Sequence, residues 1–357
     1  MTYTALHVHT EYSLLDGAIR IKDLFKRAKE LGISSVGVAE HGSMAGTIRK
    51  YKLAKEAGVK LIIGMEVYFV NDIAKKDKKE SRSHLLLMAK DYGGYKNLIK
   101  LSSIASCDGF YYKPRLDKKI IRQYSEGLVC STACLKNDIA QAIIKDDQQK
   151  ARELISDYIS IFGKDNFFLE VAHHGIPEEQ KIADAYFKFA EEFGIRVVFG
   201  GDAHYLRREH ESVHGVVLSL QSGKTLNDPK RFKFSGSEYH LLSEEESRKF
   251  YPDHPEIFDN ANIIADMCNV DFEFGKYEFP DFTVPEGHTP ESYLKELCYV
   301  GFKEKYGDDQ AAKKRLDYEL SVINKMGFAE YFLIVQDVIS GVSKNEGIST
   351  AGRGSCA

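Results

Sequence analysis

His7-Val8-His9 is the first arrangement in this sequence able to do chemistry. It closes a short apolar run, Ala5 to Val8, that reads as a strand. Residues two apart on a strand face the same side, so both imidazoles can reach one ion. Asp202-Ala203-His204 repeats the spacing after a late strand, Arg196 to Gly200. His41 and Glu66 lie at or near the ends of intervening strands, and His84 stands at the opening of the next. Asp16 follows the first strand within Leu14-Leu15-Asp16-Gly17, and Cys134 lies just past the strand Gly127 to Cys130. Each element alone has a bland reading. A lone His-x-His is a weak signal. Glu66 could pair with a lysine, His84 could be an ordinary core histidine, and a single cysteine is more often a small buried apolar residue. The combination is hard to produce by packing, because clustered imidazoles and carboxylates carry a desolvation penalty without a partner.

Imidazoles, carboxylates and one thiolate suit Zn²⁺ or Mn²⁺ and could hold Fe²⁺. Nine such side chains exceed the needs of one ion, so two or three ions are expected, with Glu66 as a bridge. Ions about 3.5–4 Å apart would bind a phosphodiester, generate hydroxide and stabilise the leaving oxygen, with no protein nucleophile required. His173 and His174 follow the strand Phe167 to Val171 and read as surface residues or as support behind the ligands. His210, His214, His240, His254 and His288 sit in helical or loop contexts and fall outside the expected ligand set. Gly352-Arg353-Gly354-Ser355 is a second, weaker signal: two glycines let backbone N–H groups approach phosphate oxygens, and Arg353 and Ser355 add charge and hydrogen bonds.

The elements that must position these residues alternate between short apolar strands and amphipathic helices. Helices are expected at Ile21 to Leu31, with Leu24, Phe25, Ala28 and Leu31 on one face, and at Ala45 to Ala57, stopped by Gly58. Others are expected at Tyr95 to Ser106, Asp138 to Ile144, Lys150 to Phe162 and Pro177 to Phe193. Strands are expected at Ser35 to Ala39, Lys60 to Val70 and Leu85 to Met88, with Asn71 to Arg82 as a charged loop. The alternation indicates parallel βα units, and about seven of them point to a barrel. Helix-stopping glycines precede both Glu40-His41 and Asp202-Ala203-His204, and the acid and histidine then fall at a strand's carboxyl end, where barrels assemble their chemistry. After Met267 the style changes. Tyr277 through Gly287 reads as a linker, followed by helices at Pro290 to Tyr306, Asp309 to Met326 and Tyr331 to Val342. A strand is expected at Ile348 to Ala351, and the abrupt end at Ala357 suggests a truncated chain.

With 357 residues, 43% hydrophobic and 29% charged, the chain has the composition of a soluble globular protein of two or three units. A net charge of -4 argues against a basic nucleic-acid clamp. Six cysteines without dense spacing argue against a disulfide scaffold and for a reducing cytoplasm. No secretory signal stands at the N-terminus, and no segment approaches the roughly 20 apolar residues of a membrane span.

His7-Val8-His9-Thr10, Glu40-His41-Gly42, Gly64-Met65-Glu66 and Asp202-Ala203-His204-Tyr205 resemble the motifs of the PHP (polymerase and histidinol phosphatase) domain. Ser13 to Gly17, Gly93 to Leu98, Gln221 to Leu226 and Met326 to Val335 resemble the form found in the bacterial DNA polymerase III alpha family. The resemblance runs over essentially the whole chain. It implies an α/β fold: a distorted (β/α)7 barrel over residues 1–276, a linker at 277–289, and the start of an α/β polymerase palm at 290–357. It implies metal ligation by His7, His9, Asp16, His41, Glu66, His84, Cys134, Asp202 and His204, with Cys130 the alternative to Cys134. Glu40 stands where the family often has Asp. Gly352, Arg353, Gly354 and Ser355 would contact the phosphates of the incoming nucleotide. The longer protein would be a DNA-directed DNA polymerase using Mg²⁺, DNA, deoxynucleoside triphosphates and other replisome subunits, with its palm carboxylates downstream of Ala357. The first domain would be a metal-dependent 3′–5′ exonuclease or pyrophosphatase, or a metal-stabilised scaffold. A free-standing phosphoesterase acting on a small phosphate ester is the alternative that the palm-like tail argues against.

Overall fold

The structure is a computed structural model that describes residues 3–78, 80–276 and 280–347. It divides into two units, Met1–Phe272 and Glu273–Ala357. The first carries, in chain order, β1 (Tyr3–Val8), α1 (Ile21–Glu30), β2 (Ile33–His41), α2 (Thr47–Ala57), β3 (Lys60–Phe69), β4 (Ser83–Ala89), α3 (Tyr92–Cys107), β5 (Arg115–Leu116), α4 (Lys118–Gln123), β6 (Leu128–Ser131), α5 (Asp138–Ile144), α6 (Gln148–Phe162), β7 (Phe167–Val171), α7 (Pro177–Phe193), β8 (Arg196–Phe199), α8 (Glu211–Ser222), α9 (Glu244–Arg248) and α10 (Glu256–Met267). The main path of the sheet runs β1-β2-β3-β4-β6-β7-β8, with β5 paired to β3 off that path. Beyond β8 the chain returns to β1: Ala203 bridges Val8, donating to His7 O at 3.0 Å while its own carbonyl accepts from His9 N at 2.8 Å. The sheet thereby becomes a nearly closed seven-strand barrel, as the alternation of elements predicts.

One expectation is corrected. β4 runs antiparallel to both β3 and β6, whereas the other neighbours on the main path are parallel. A parallel neighbour requires a crossover, usually helical. The described residues between β3 and β4 contain no helix, and the chain doubles back. The carboxyl ends of the parallel strands and the beginning of β4 therefore share one mouth of the barrel.

The barrel is filled from inside. Leu6, Ala39, Ile62, Leu86, Met88, Val129, Phe168 and Val198 form an inner cluster with Ile264, Ala265 and Cys268 from α10 and its end. Alternate residues, such as Val36, Val38, Ile63, Met65, Leu85 and Leu87, face outward into the larger cluster shared with the helices. Strands buried on both faces explain why they read as continuous apolar runs. In β1 the register slips: Ala5 pairs Val36 and Val8 pairs Val38, three residues of β1 against two of β2. This bulge changes the parity of the strand. Tyr3, Ala5 and Val8 join the outer cluster, Thr4 bonds Asn262 of α10 at 2.8 Å, and His7 and His9 both turn inward.

The second unit contains α11 (Pro290–Tyr306), α12 (Gln310–Lys325) and α13 (Ala329–Glu346), close to the bounds read from the sequence. They pack around Leu294, Leu320, Ala329 and Leu333. The strand expected at Ile348 to Ala351 and the Gly352 to Ser355 turn lie outside the described residues.

The long connection between β3 and β4 is tied down by Arg115, which is 1% exposed. Its guanidinium donates to Gly109 O at 2.9 Å, Lys75 O at 2.7 Å and Ile73 O at 2.7 Å. Arg115→Ala should lower stability by about 3 kcal/mol, since each bond to a charged donor contributes roughly 1.5–3 kcal/mol. Urea unfolding reads the loss, and trypsin should cut faster at the exposed Lys75 and Lys76. A loss under about 1 kcal/mol with unchanged proteolysis would show that the loop is held by other means.

Candidate metal centre

The nine side chains singled out in the sequence converge at the mouth defined by the parallel strand ends and the start of β4. His7 and His9 come from the end of β1, His41 from the end of β2, Glu66 from β3 and His84 from β4. Asp16 lies on the loop after β1, Cys134 on the loop after β6, and Asp202 and His204 on the segment after β8. Glu66 sits among them. Its Oε2 is 3.5 Å from His9 Nε2 and 2.5 Å from His41 Nδ1. Its Oε1 is 2.9 Å from His84 Nδ1 and 3.8 Å from Cys134 Sγ. Asp202 Oδ1 lies 3.6 Å from His7 Nε2 and 3.3 Å from His9 Nε2. Asp16 Oδ2 lies 2.8 Å from His41 Nε2 and 3.1 Å from His204 Nε2.

Three overlapping sets of donors have all their atoms within 4.8 Å of one another: His7, His9 and Glu66; His9, His41 and His204; and His41, Glu66 and His84. The cysteine alternatives separate cleanly. Cys134 Sγ is 3.5 Å from His84 Nδ1, whereas Cys130 belongs to the outer cluster. Glu40 is not part of the donor set. It accepts from Thr10 N at 3.0 Å, Ser13 Oγ at 2.6 Å and the Thr10 hydroxyl, and it pairs with buried Lys50 at 2.6 Å. Ser13 in turn lies 3.2 Å from His9 Nδ1 and accepts from His41 N at 3.1 Å. The acid beside His41 therefore braces the loop that carries the ligands.

Sequence reasoning missed Glu170. It lies on the inner face of β7, with Oε1 2.7 Å from His7 Nδ1 and Oε2 accepting from Ser131 Oγ. Gly200 makes this reach feasible, because a Cβ there would meet Glu170 Oε1 at 1.8 Å. The available signal was a glutamate inside an apolar strand, since a buried charge requires partners. His174, read as surface or support, is 3% exposed and lines the same cavity. His214 is also buried, with its ring 5.6 Å from that of His204.

The electrostatics indicate what the site can hold. Burial opposes ionisation of Asp16, Glu66 and Asp202, yet the imidazoles around them keep all three well below the usual carboxylate range. Burial also pulls His7 and His41 down, but their carboxylate neighbours override it and push both up to about 10. His9 drops to about 4 through burial and the charges at His41 and His204. Positive charge is thus demanded at the centre. Buried Glu66 Oε2, His41 Nδ1 and Asp202 Oδ1 have no hydrogen-bond partner. Glu66 Oε2 and His41 Nδ1 approach to 2.5 Å. Converging lone-pair donors of this kind fit a divalent cation. Asp202 is held at φ +40, with Leu15 at +59 and Ala133 at +50 immediately before Asp16 and Cys134. Such strain in non-glycine residues persists only where surrounding structure imposes it.

The centre opens into a cavity of about 1310 Å³, whose wall includes Arg82, Lys113, Lys136 and Lys233. Imidazoles and carboxylates at the base of a cavity with cationic side chains on its wall form an arrangement suited to phosphate chemistry.

Residues 5–174, which carry β1 to β7 and seven of the nine converging side chains, match the PHP domain family. Residues 292–357 match the family described as the bacterial DNA polymerase III alpha NTPase domain. Over 427 aligned residues the chain is 36% identical to the DNA polymerase III subunit alpha of Thermus aquaticus, covering 100% of this chain and 35% of that protein. It is 39% identical to the same subunit of Borreliella burgdorferi, covering 99% of this chain and 31% of that one. Against the Aquifex aeolicus subunit it is also 39% identical, covering 99% and 32%. The chain belongs to the bacterial DNA polymerase III alpha subunit family, and it spans about a third of the length of the curated relatives it matches. A solved structure of an amidohydrolase from Chromobacterium violaceum, with bound SO4 and no metal, is 14% identical with a TM-score of 0.40, covering 57% of this chain and 88% of that one.

Lys50 and Glu40 give a test of the brace. Both are buried, and burial pulls Lys50 down while Glu40 is held below its ordinary range by Lys50 and its hydroxyl partners. Lys50→Ala leaves Glu40 as an uncompensated buried charge, which should cost about 3–5 kcal/mol. The Glu40→Gln, Lys50→Met double variant should recover most of that loss in urea unfolding. The glutamate's depressed pKa means its contribution is present above the ordinary value of 4.5 and lost on acidification. Equal losses in the single and double variants would refute the pairing.

Proposed function

We propose that His7, His9, Asp16, His41, Glu66, His84, Cys134, Asp202 and His204 hold a cluster of divalent cations, Zn²⁺ and/or Mn²⁺ with Fe²⁺ a further candidate, and that the PHP domain hydrolyses phosphate ester or anhydride bonds. Bound there, the ions would supply Lewis acidity and lower the pKa of water toward neutrality. The chain's own residues orient the donors: Glu170 and Ser13 hold His7 and His9, and Arg82, Lys113, Lys136 and Lys233 on the cavity wall offer positive charge to the phosphate. The activity in this reading is that of a 3′–5′ exonuclease or a pyrophosphatase. The observation that carries it is the set of buried, unpaired donor atoms on Glu66, His41 and Asp202, converging with the imidazoles.

The wider reading is that the longer protein is a cytoplasmic DNA-directed DNA polymerase. It acts on DNA and deoxynucleoside triphosphates with Mg²⁺ and works alongside other replisome subunits. Its PHP domain extends to residue 276, residues 277–289 link it to the palm that begins at 290, and Gly352, Arg353, Gly354 and Ser355 bind nucleotide phosphates. Support comes from the curated relatives named above. No helix among the described residues is long and apolar enough to cross a membrane.

The test strips the chain with a chelator and restores Zn²⁺ or Mn²⁺. Metal content, melting temperature and hydrolysis of single-stranded DNA and pyrophosphate are then measured. Restored metal should raise the melting temperature and activity together. Losing a ligand should weaken metal affinity at least as much as the roughly 10–100-fold seen for supporting residues, so His9→Ala and Asp202→Ala should lose both. Metal that raises the melting temperature without any hydrolysis would overturn the catalytic part. Failure to retain metal would overturn the whole reading.

A further inference from the structure

We propose that His174, held by Glu179, donates the proton to the leaving group in the cavity of the metal centre, making it a catalytic residue outside the ligand set. This rests on the phosphoesterase reading above.

His174 and Glu179 are 3% and 6% exposed. His174 Nδ1 lies 2.7 Å from Glu179 Oε1. Glu179 Oε2 accepts from His174 N at 2.8 Å and Ile176 N at 3.1 Å, at the start of α7. Both carboxylate oxygens are therefore occupied as acceptors, and the proton on Nδ1 is committed to Glu179. With Nδ1–H committed, the ring acts as a general acid only when it enters the cycle protonated on Nε2 as well, and that is the proton it can give up. That nitrogen is buried without a hydrogen-bond partner. A buried polar atom left unpaired is disfavoured and calls for a reason, and an unused nitrogen on a carboxylate-anchored imidazole is the arrangement that transfers protons in acid–base catalysis.

The ring borders the centre. It stacks on Tyr239 with centroids 3.9 Å apart and planes 11° from parallel. Tyr239 meets the His204 ring edge-on at 5.8 Å. His174 thus shares a wall with the centre and lines the same cavity as Asp16, His41 and Asp202. Its backbone is fixed too: Ser237 N donates to His174 O at 2.8 Å, and a Cβ on Gly236 would strike that oxygen at 2.1 Å. Among the described residues His174 appears in none of the close donor sets, so the site needs another role for it.

The step balances without an added reactant. Water attacks phosphorus and forms the new P–O bond. The bond to the leaving oxygen breaks, its electron pair stays on that oxygen, and the oxygen takes the Nε2 proton. The proton released by the attacking water restores the one that Nε2 gave up.

The test compares the metal-loaded full chain with His174→Gln on two phosphodiesters, bis(p-nitrophenyl) phosphate and a thymidine dinucleotide. Nitrophenolate leaves without a proton, whereas the nucleoside alkoxide needs one. Loss of general acid catalysis is typically about 10²–10⁴-fold, so kcat for the dinucleotide should fall on the order of 10²-fold. The nitrophenyl ester should change only a few-fold, with metal content unchanged. Glu179→Gln, which keeps the ring, should give the same ranking at smaller size, and it serves as the test should His174→Gln fail to fold. As a readout independent of turnover, inorganic phosphate added to the Zn²⁺-loaded chain should shift the ¹⁵N resonance of His174 Nε2. Equal losses on both esters, no loss on either, or an unmoved resonance would overturn the assignment alone. A parent chain that hydrolyses neither ester would overturn the phosphoesterase reading and this inference with it.

Discussion

The Glu66 carboxylate is almost fully buried, and a buried charge is expensive unless paired. Its two oxygens lie against His9, His41, His84 and Cys134, which belong to β1, β2, β4 and the loop after β6. One negative group thus draws together residues from most of the way around the barrel. The rest of the mouth answers the same constraint: Asp16 and Asp202 add acceptors, and His7 and His204 come with them. The strained backbone at Leu15, Ala133 and Asp202 lies where loops must turn sharply to bring a side chain into that group.

Much of this was legible in the sequence because strand periodicity and donor chemistry are local properties. The His-x-His and Asp-x-His pairs and Glu66 come together in space, and Gly58 and Gly194 adopt the left-handed conformation expected at helix ends. Longer-range properties were hidden. The bulge in β1 exists only relative to β2, and without it His7 and His9 would follow the parity of Tyr3 and Ala5 to the outer face. The direction of β4 depends on the absence of a crossover helix, which a charged loop reveals only once the pairing is known. The antiparallel direction of β4 is what brings His84, at the beginning of its strand, to the same mouth as the ends of the parallel strands. Where a carboxylate points is likewise set by tertiary contacts, which is why the partner of Glu40 and the role of Glu170 were hidden. Glu40 turns to Lys50 and the Thr10 loop, and Glu170, far from any motif, supports His7.

The polar groups around the ligands form a second tier with a common logic. His7 Nδ1 faces Glu170, His9 Nδ1 faces Ser13 and His204 Nδ1 faces the carbonyl of Asp202. In each case the other nitrogen, Nε2, is left for the interior, where it meets His9, Asp202 or Asp16. Fixing one ring nitrogen selects the tautomer and orientation of the other. His41 and His84 differ: both turn Nδ1 to Glu66, so the central carboxylate sets their orientation.

The fold supplies this tier at little additional cost because it reuses the register of the sheet. The inner cluster of Leu6, Ile62, Val129, Phe168 and Val198 fills the barrel below the site. Going toward the mouth along the same inward face, β3 passes from Ile62 to Glu66, β6 from Val129 to Ser131 and β7 from Phe168 to Glu170. Close packing of the apolar layer fixes the height and tilt of each strand, and those fix where the next inward residue arrives. At Gly200 the rule requires a side chain to be absent, since Glu170 occupies that space. A change in the apolar layer should therefore be felt as misplacement of donors one step above it. The chemistry at the mouth is sensitive to packing that no ligand touches, because the same strands that bury the core also set the geometry of the charges.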